Sequence, residues 1–197
     1  MRLLIILANE NKESLCALFF NHAQQLAHEL KVDVEISDLY AMGFNPLLEH
    51  SEIDLLQKRG EVAEEVRTEQ EKISRADKIL FIYPVWWWDR PAILKGWFDR
   101  VLTSGFAFKM TEKGPTGLLA GKKTAILRTA SHDQNYYERT GGEFAISCGI
   151  RDGAFRFSGI TDCEEKTLFG LHRAGKAQVK YLIDDAEHFL EHFIGKA

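Results

Sequence analysis

Residues 83–91 read Tyr83-Pro84-Val85-Trp86-Trp87-Trp88-Asp89-Arg90-Pro91, three consecutive tryptophans directly after an apolar run. Tryptophan is often largely buried, so core packing is one reading of the segment. Three in a row cannot all point inward from one loop, so at least one lines a cleft or an interface. A wall of flat rings suits a planar aromatic cofactor, because such pockets combine apolar walls with a few polar groups. A redox ring system also needs backbone donors near its polar edge, to hold it and to stabilise the charge added on reduction. A loop at the end of a strand can supply both.

Other candidate motifs are weaker. His188-Phe189-Leu190-Glu191-His192 matches a zinc-hydrolase spacing, but it ends five residues from the C-terminus. Too little chain follows to supply the third protein ligand that such sites need, so a surface helix with chance spacing is expected and no metal site is assigned. Gly117–Thr124 resembles a phosphate loop, with one residue too few between the glycines and a strand rather than a helix after it. There is no G-x-G-x-x-G. Cys16 lies near a helix start, where a thiolate would be favoured, although a buried structural thiol is the commoner state of a free cysteine.

The elements that must position the tryptophan loop follow from periodicity. Leu3–Leu7 is continuously apolar, as in a parallel strand covered on both faces. Ser14 is a candidate N-cap for a helix carrying Leu15, Leu18, Phe19, Leu26 and Leu30. Val32–Ser37 reads as a second strand, Leu39–Glu49 as loop, Glu61–Arg75 as a charged helix and Lys78–Tyr83 as a third strand. Pro91 suits the first turn of a helix running to about Leu102. Thr103–Gly121 reads as a long loop, Thr124–Leu127 as a fourth strand, and Thr129–Gly142 as a loop before a further helix. Asp162–Phe169 and Arg173–Phe193 read as the last strand and a closing helix. Strands alternating with helices predict a single α/β domain over residues 1–197, a doubly wound five-stranded parallel sheet with helices on both faces. In such sheets ligands bind outside the carboxyl ends of the strands. Ala8–Ser14, Pro84–Arg90 and Thr129–Tyr137 all lie there.

Composition narrows the classes. The 197 residues are 45% hydrophobic and 27% charged, ordinary for a soluble globular chain. A net charge of −4 gives no strong field toward nucleic acid or anionic membrane. No stretch approaches the about 18 apolar residues of a membrane span. Three cysteines without C-x-x-C spacing suit reduced thiols, hence a cytoplasmic location.

Pro91-Ala92-Ile93-Leu94-Lys95-Gly96-Trp97-Phe98-Asp99-Arg100-Val101, followed by Gly105-Phe106-Ala107-Phe108, resembles the signature of the NAD(P)H:quinone reductase family. Ser37-Asp38-Leu39-Tyr40-Ala41-Met42 and Phe44-Asn45-Pro46 are similar to its second-strand loop, and the likeness covers roughly residues 2–170. The resemblance implies a flavodoxin-like fold and a homodimer with flavin at the subunit interface, the flavin being FAD or FMN, with FAD slightly favoured. It implies that NAD(P)H gives hydride to the flavin and leaves, after which a quinone or similar acceptor takes the same space, a ping-pong mechanism. On this resemblance Pro84, Val85, Trp86, Trp87 and Trp88 contact the flavin ring, Phe108 lines the acceptor pocket with Trp87, and Tyr137 helps handle the reduction charge. Asn9, Ser14, Leu15 and Cys16 fall on the flavin-phosphate loop, and Thr129, Ala130 and Ser131 on the loop after the fourth strand. Reductases of azo or nitro compounds need the same site. Some family members are instead ancillary subunits of potassium-efflux systems.

The chain also departs from the family pattern. Asn9-Glu10-Asn11-Lys12-Glu13-Ser14 stands where a histidine and small hydroxyl residues are usual. Carboxylates near a helix N-terminus compete with phosphate for its positive end. Thr129-Ala130-Ser131-His132 replaces a Thr-Thr-Gly-Gly loop, and Glu143 occupies the place of a charge-relay histidine. His132 is then a candidate catalytic proton donor facing the acceptor, the competing reading being an exposed loop histidine with no special role.

Overall fold

The computed structural model describes residues 1–53 and 62–195. Strands β1 (Arg2–Leu7), β2 (Asp33–Asp38), β3 (Lys78–Pro84), β6 (Lys123–Thr129) and β7 (Asp162–Leu168) form one sheet in the order β2-β1-β3-β6-β7, all parallel. The apolar strands lie inside and are buried on both faces. Leu4, Ile6, Phe81, Tyr83 and Ile126 face α3 (Glu64–Arg75) and α4 (Ala92–Val101). Leu3, Ile5, Leu80, Ile82 and Leu127 face α1 (Leu15–Glu29) and α7 (Lys176–Gly195). The period-2 alternation thus divides one set of strands between two cores. Ser14 caps α1 as expected, its hydroxyl accepting from the Ala17 amide at 3.2 Å. Pro91 sits one position earlier than expected, at the N-cap of α4.

Two expected loops contain regular structure. Within 103–121, β4 (Phe108–Thr111) and β5 (Gly114–Gly117) form an antiparallel hairpin. These strands are four residues each and mostly exposed, so no alternation of polar and apolar residues announced them. Within 129–142, α5 (Gln134–Thr140) is capped by Asp133, which accepts from the Tyr136 amide at 2.8 Å, and ends on Gly141 at φ +76. An Asp before and a glycine after are helix start and stop signals. A short α2 (His50–Ile53) follows the 39–49 segment, and α6 (Gly142–Ser147) continues into a π-helical stretch, Cys148–Phe155. The charged helix expected from Glu61 is observed from Glu64, residue 61 lying outside the described residues.

The loop after β2 is clamped onto α4. Arg100, buried, donates to Glu52 at 2.8–3.0 Å, to Glu65 and to the Asn45 carbonyl at 2.5 Å. Gly96 lies against Pro46, whose oxygen would be 2.1 Å from any added Cβ. Glu69, fully buried, accepts from the Trp97 indole at 2.9 Å and from Ser37 at 3.0 Å, with Lys72 at 2.7 Å. The signature segment is therefore packed mainly as scaffold. It holds α4 down so that the loop before it is presented at the sheet's carboxyl edge.

Candidate active site

The chain order turns back between β1 and β3, β2 lying on one side and the later strands on the other. That turning point is where doubly wound sheets open a crevice. The loop after β1 meets it first. Its polar groups bind one another. The Asn9 amide donates to the Ser14 hydroxyl at 2.9 Å, the Asn11 amide to Asn9 at 3.0 Å, and the Glu13 amide to Asn11 at 2.9 Å. The loop is thus preformed, with the Leu15 and Cys16 amides of α1's first turn left without acceptors among the described residues. Lys12 is drawn to Asp38 rather than to Glu13, whose side chain is exposed. The Cys16 thiol is buried 3.5 Å from the Thr129 hydroxyl, and burial pushes its pKa up, so it is held protonated.

After β3 the backbone closes a two-residue turn. Trp86 and Asp89 exchange both hydrogen bonds, at 2.9 and 3.0 Å, around Trp87 at φ +50 and Trp88 at φ +60. This geometry normally takes Asn-Gly, and side chains with a Cβ in the left-handed region cost about 1–2 kcal/mol per residue. Two adjacent strained tryptophans are a mark of a functional loop. The turn leaves the Trp87 and Trp88 amides without acceptors among the described residues. Trp87 is wholly exposed, at 101% of its free accessible area, and Trp86 is exposed beside it. Trp88 turns inward against the Tyr136 and Tyr137 rings, at 6.3 and 6.4 Å. Gly142 permits that contact, since a Cβ there would lie 2.8 Å from Tyr137.

After β6, Thr129 and Ala130 are buried and Ser131 and His132 are exposed. The Ser131 and His132 amides are likewise without acceptors among the described residues. Tyr137 is buried with Val85, Ala130 and Ile146, beneath the two loops, and burial raises its hydroxyl pKa. His132 lies on Tyr136, ring centroids 4.4 Å apart. The predicted cofactor residues therefore gather along one edge. Four free amides on two neighbouring strand ends match the polar edge of a planar ring, and the first turn of α1 matches a phosphate. A flavin fits this donor set.

Of three clefts among the described residues, none is lined by all three residues assigned to the acceptor pocket. Phe108, at the start of the hairpin, meets Phe157 at 4.8 Å and lines a cavity of about 270 Å³ with Arg90 and Phe98. His132 lines a separate cavity of about 460 Å³, and Trp87 lines neither. A third cavity, of about 470 Å³, lies over β7 around Arg128, Arg151 and Glu165. Sequence reasoning missed Arg128, which is buried and donates to Thr167, Ser147 and Glu165 at 2.6–2.8 Å. An arginine closing the apolar run Thr124–Leu127 was the available sign of it. Burial pushes the Cys163 thiol in the same cavity up to about 11.

Comparison with known proteins places this geometry in context. The sequence model of a family described as flavodoxin-like fold matches residues 1–192. An uncharacterised NAD(P)H oxidoreductase of Haemophilus influenzae is 34% identical over 185 residues, 91% of each chain. An NAD(P)H dehydrogenase [quinone] 1 of Rattus norvegicus is 32% identical over 204 residues, covering 92% of this chain and 73% of its own. The structure of an NAD(P)H:quinone oxidoreductase from Methanothermobacter marburgensis superposes with a TM-score of 0.86 at 27% identity, over 98% of this chain and 96% of that one. An FMN-dependent NADH-azoreductase of Bacillus anthracis, solved with FMN, shares the fold at 20% identity and a TM-score of 0.76, over 98% of this chain and 100% of that one.

Proposed function

This chain belongs to the family described as flavodoxin-like fold, and from that premise we propose that it is a flavin-dependent NAD(P)H oxidoreductase making two-electron reductions of quinones or related planar acceptors. The observation that carries the proposal is the strained Trp87-Trp88 turn, which spends folding energy to present two free amides and a bare indole at the carboxyl end of β3. The relative at 34% identity is named an NAD(P)H oxidoreductase and the one at 32% an NAD(P)H dehydrogenase [quinone] 1, which supports the reading.

Bound flavin would supply a two-electron carrier between a nicotinamide and an acceptor. The protein's part is to hold and shield it. The Leu15 and Cys16 amides take the phosphate, Ser14 shaping that loop through its hydroxyl bond to the Asn11 carbonyl at 2.7 Å, and the Trp87, Trp88, Ser131 and His132 amides take the ring edge. Trp88, braced by Tyr136 and Tyr137, keeps the turn in place. Trp87 walls the space above the ring, and the exposed His132 imidazole is the candidate proton donor to the acceptor. Tyr137, kept protonated by burial, lies under the loops that meet the ring. The phosphate contacts concern only the part common to FAD and FMN. The resemblance favours FAD, whereas FMN is the cofactor of the Bacillus azoreductase.

One space over the ring, for one planar ligand at a time, supports ping-pong turnover. Exposed Trp86 and Trp87 and the separation of Phe108 from Trp87 support a homodimer, in which a second copy would bring its hairpin over the tryptophan turn and cover apolar surface. The test is anaerobic addition of NAD(P)H to flavin-loaded protein. The flavin absorbance should bleach without an acceptor and return when a quinone is added. Flavin that stays oxidised would end the oxidoreductase reading. Converging double-reciprocal lines would exclude ping-pong, and sedimentation of a 22.5 kDa species alone at micromolar concentration would exclude the dimer.

A further inference from the structure

The cavity of about 270 Å³ beside the hairpin holds a buried charge that the proposed chemistry does not use. Arg90 follows the tryptophan turn directly, and its side chain is only 8% exposed. A guanidinium carries five N–H donors, and donors buried to this degree are normally met. Among the described residues Asp89 is the one acceptor it finds. Nη1 donates to Asp89 Oδ1 at 3.1 Å, while Nε is buried without a partner. The same Asp89 oxygen also accepts from the Arg90 amide at 2.7 Å, and Asp89 is exposed. Asp99, the acid that lines the cavity, is engaged by Lys95 at 2.5 and 2.6 Å. The guanidinium is held in position, its carbon 5.3 Å from the Phe98 ring centroid. Gly149 leaves it room, since a Cβ there would stand 3.2 Å from Nη1. That glycine belongs to the π-helical stretch Cys148–Phe155, a geometry that is rare and frequent at functional sites. Phe108 and Phe157 supply an aromatic wall, crossing edge to face at 4.8 Å.

We infer that Arg90 is a specificity-determining residue, and that this cavity selects planar acceptors that carry a carboxylate; the inference rests on the proposed oxidoreductase activity and names the substrate class of its acceptor site. A carboxylate presents two coplanar acceptor oxygens, the match of a guanidinium fork. It would meet donors that Asp89 leaves free and that cost the empty protein their desolvation. The rings of Phe98, Phe108 and Phe157 suit the apolar part of the same ligand. Charge favours a carboxylate over a phosphate. Asp89 and Asp99 stand beside the arginine, and a doubly charged group would meet more repulsion from them than a singly charged one. Arg90 adjoins the turn that presents Trp87, and Phe108 is the acceptor-lining residue of the resemblance. In the proposed dimer the hairpin of one copy lies over the turn of the other. The cavity then borders the acceptor's space, where it anchors the acidic substituent while the reducible ring lies over the flavin.

The test compares flavin-loaded wild type with Arg90→Gln, which removes the charge, and Arg90→Lys, which keeps the charge without the fork. Thermal melting confirms folding. The acceptors are a benzoquinone bearing a carboxymethyl group and its methyl ester, so the reducible ring is the same in both. One bidentate charge-assisted contact should make kcat/KM for the acid exceed that for the ester by roughly ten- to a hundredfold in wild type. The difference should lie in KM, because Arg90 meets the substituent and not the reacting ring. Arg90→Gln should abolish the preference and Arg90→Lys should keep a smaller part of it. Calorimetric titration with benzoate and with benzamide reads the subsite without turnover, and benzoate should bind more tightly in wild type than in Arg90→Gln. Equal kcat/KM for acid and ester in wild type, together with equal binding of benzoate and benzamide, would overturn the inference. So would a preference that survives undiminished in Arg90→Gln, or in Arg90→Lys if the glutamine variant does not fold. Selective benzoate binding lost in Arg90→Gln would uphold the subsite even if NAD(P)H failed to bleach the flavin, the result that sinks the proposed activity.

Discussion

Replacing Trp87 by asparagine should stabilise the cofactor-free protein and weaken its function. Trp87 stands at φ +50 in a turn closed by two hydrogen bonds between Trp86 and Asp89, and its side chain is wholly exposed, so it contributes no packing within the chain. Asparagine enters the left-handed region far more readily than tryptophan, without the unfolded-state freedom that glycine would add. Relief of part of a strain of about 1–2 kcal/mol gives a gain of about 0.5–1 kcal/mol. For a chain of this size that is a rise in Tm of about 1–4 °C, from roughly 2–4 °C per kcal/mol. Trp88→Asn relieves similar strain but removes the contacts with Tyr136 and Tyr137, so it should melt lower than wild type. The assay is calorimetric or fluorescence melting of the flavin-free protein, alongside acceptor reduction by the loaded enzyme. Trp87→Asn should lose the indole wall and show a raised KM for the acceptor. A lowered Tm for Trp87→Asn would refute the strain argument and show that contacts beyond this chain hold Trp87.

Three further outcomes are expected. Gly96→Ala places a methyl group 2.1 Å from the Pro46 oxygen, so backbone must move, and the urea midpoint should fall by the equivalent of about 3 kcal/mol or more. The Cys163 thiol titrates at about 11 when folded against an ordinary 9.0, so the folded state holds the extra proton between those values. Stability should then fall as pH rises from about 9 to 11, by up to about 2–3 kcal/mol, and denaturation midpoints of Cys163→Ala should be flatter over that window. Glu13→Thr removes an exposed carboxylate beside the α1 N-terminus and should tighten flavin binding by about two- to fivefold at low salt, less at high salt, in a fluorescence titration.

The parallel sheet was legible because its inner strands are self-declaring. Leu3–Leu7 and Lys78–Tyr83 are too apolar and too short to be anything but covered strands. Ser14 announced α1 through its hydroxyl. The β4–β5 hairpin was not legible, because its residues pack against few neighbours and are held by Gly117 fitting closely against Gly159, a long-range contact. Helix α5 was missed although Asp133 and Gly141 flagged its ends, since Tyr136 and Tyr137 between them read equally well as loop aromatics. At the site, the three tryptophans were visible as unusual, but which points out and which points in depends on the Trp86–Asp89 pairing. Arg139 and Arg173 carry no local sign of each other. Both line one cavity because β6 and β7 are neighbours and their following loops are joined.

The position of β7 also bears on how the chain is made. It follows the other four strands of its sheet along the chain, and among the described residues it pairs only with β6. A nascent chain that has not yet exposed residues 162–168 to the cell would present β6, buried along most of its length in the finished protein, as a bare edge. Arg128 would at that moment be drawn into an apolar layer without Glu165, a state that costs several kcal/mol. Ribosome-bound chains should therefore stay open until β7 emerges, rather than settle as a four-stranded intermediate. Messages truncated just before the codon for Asp162 should yield polypeptides that recruit holding chaperones and are degraded, because β7 brings both the covering edge and the counter-charge.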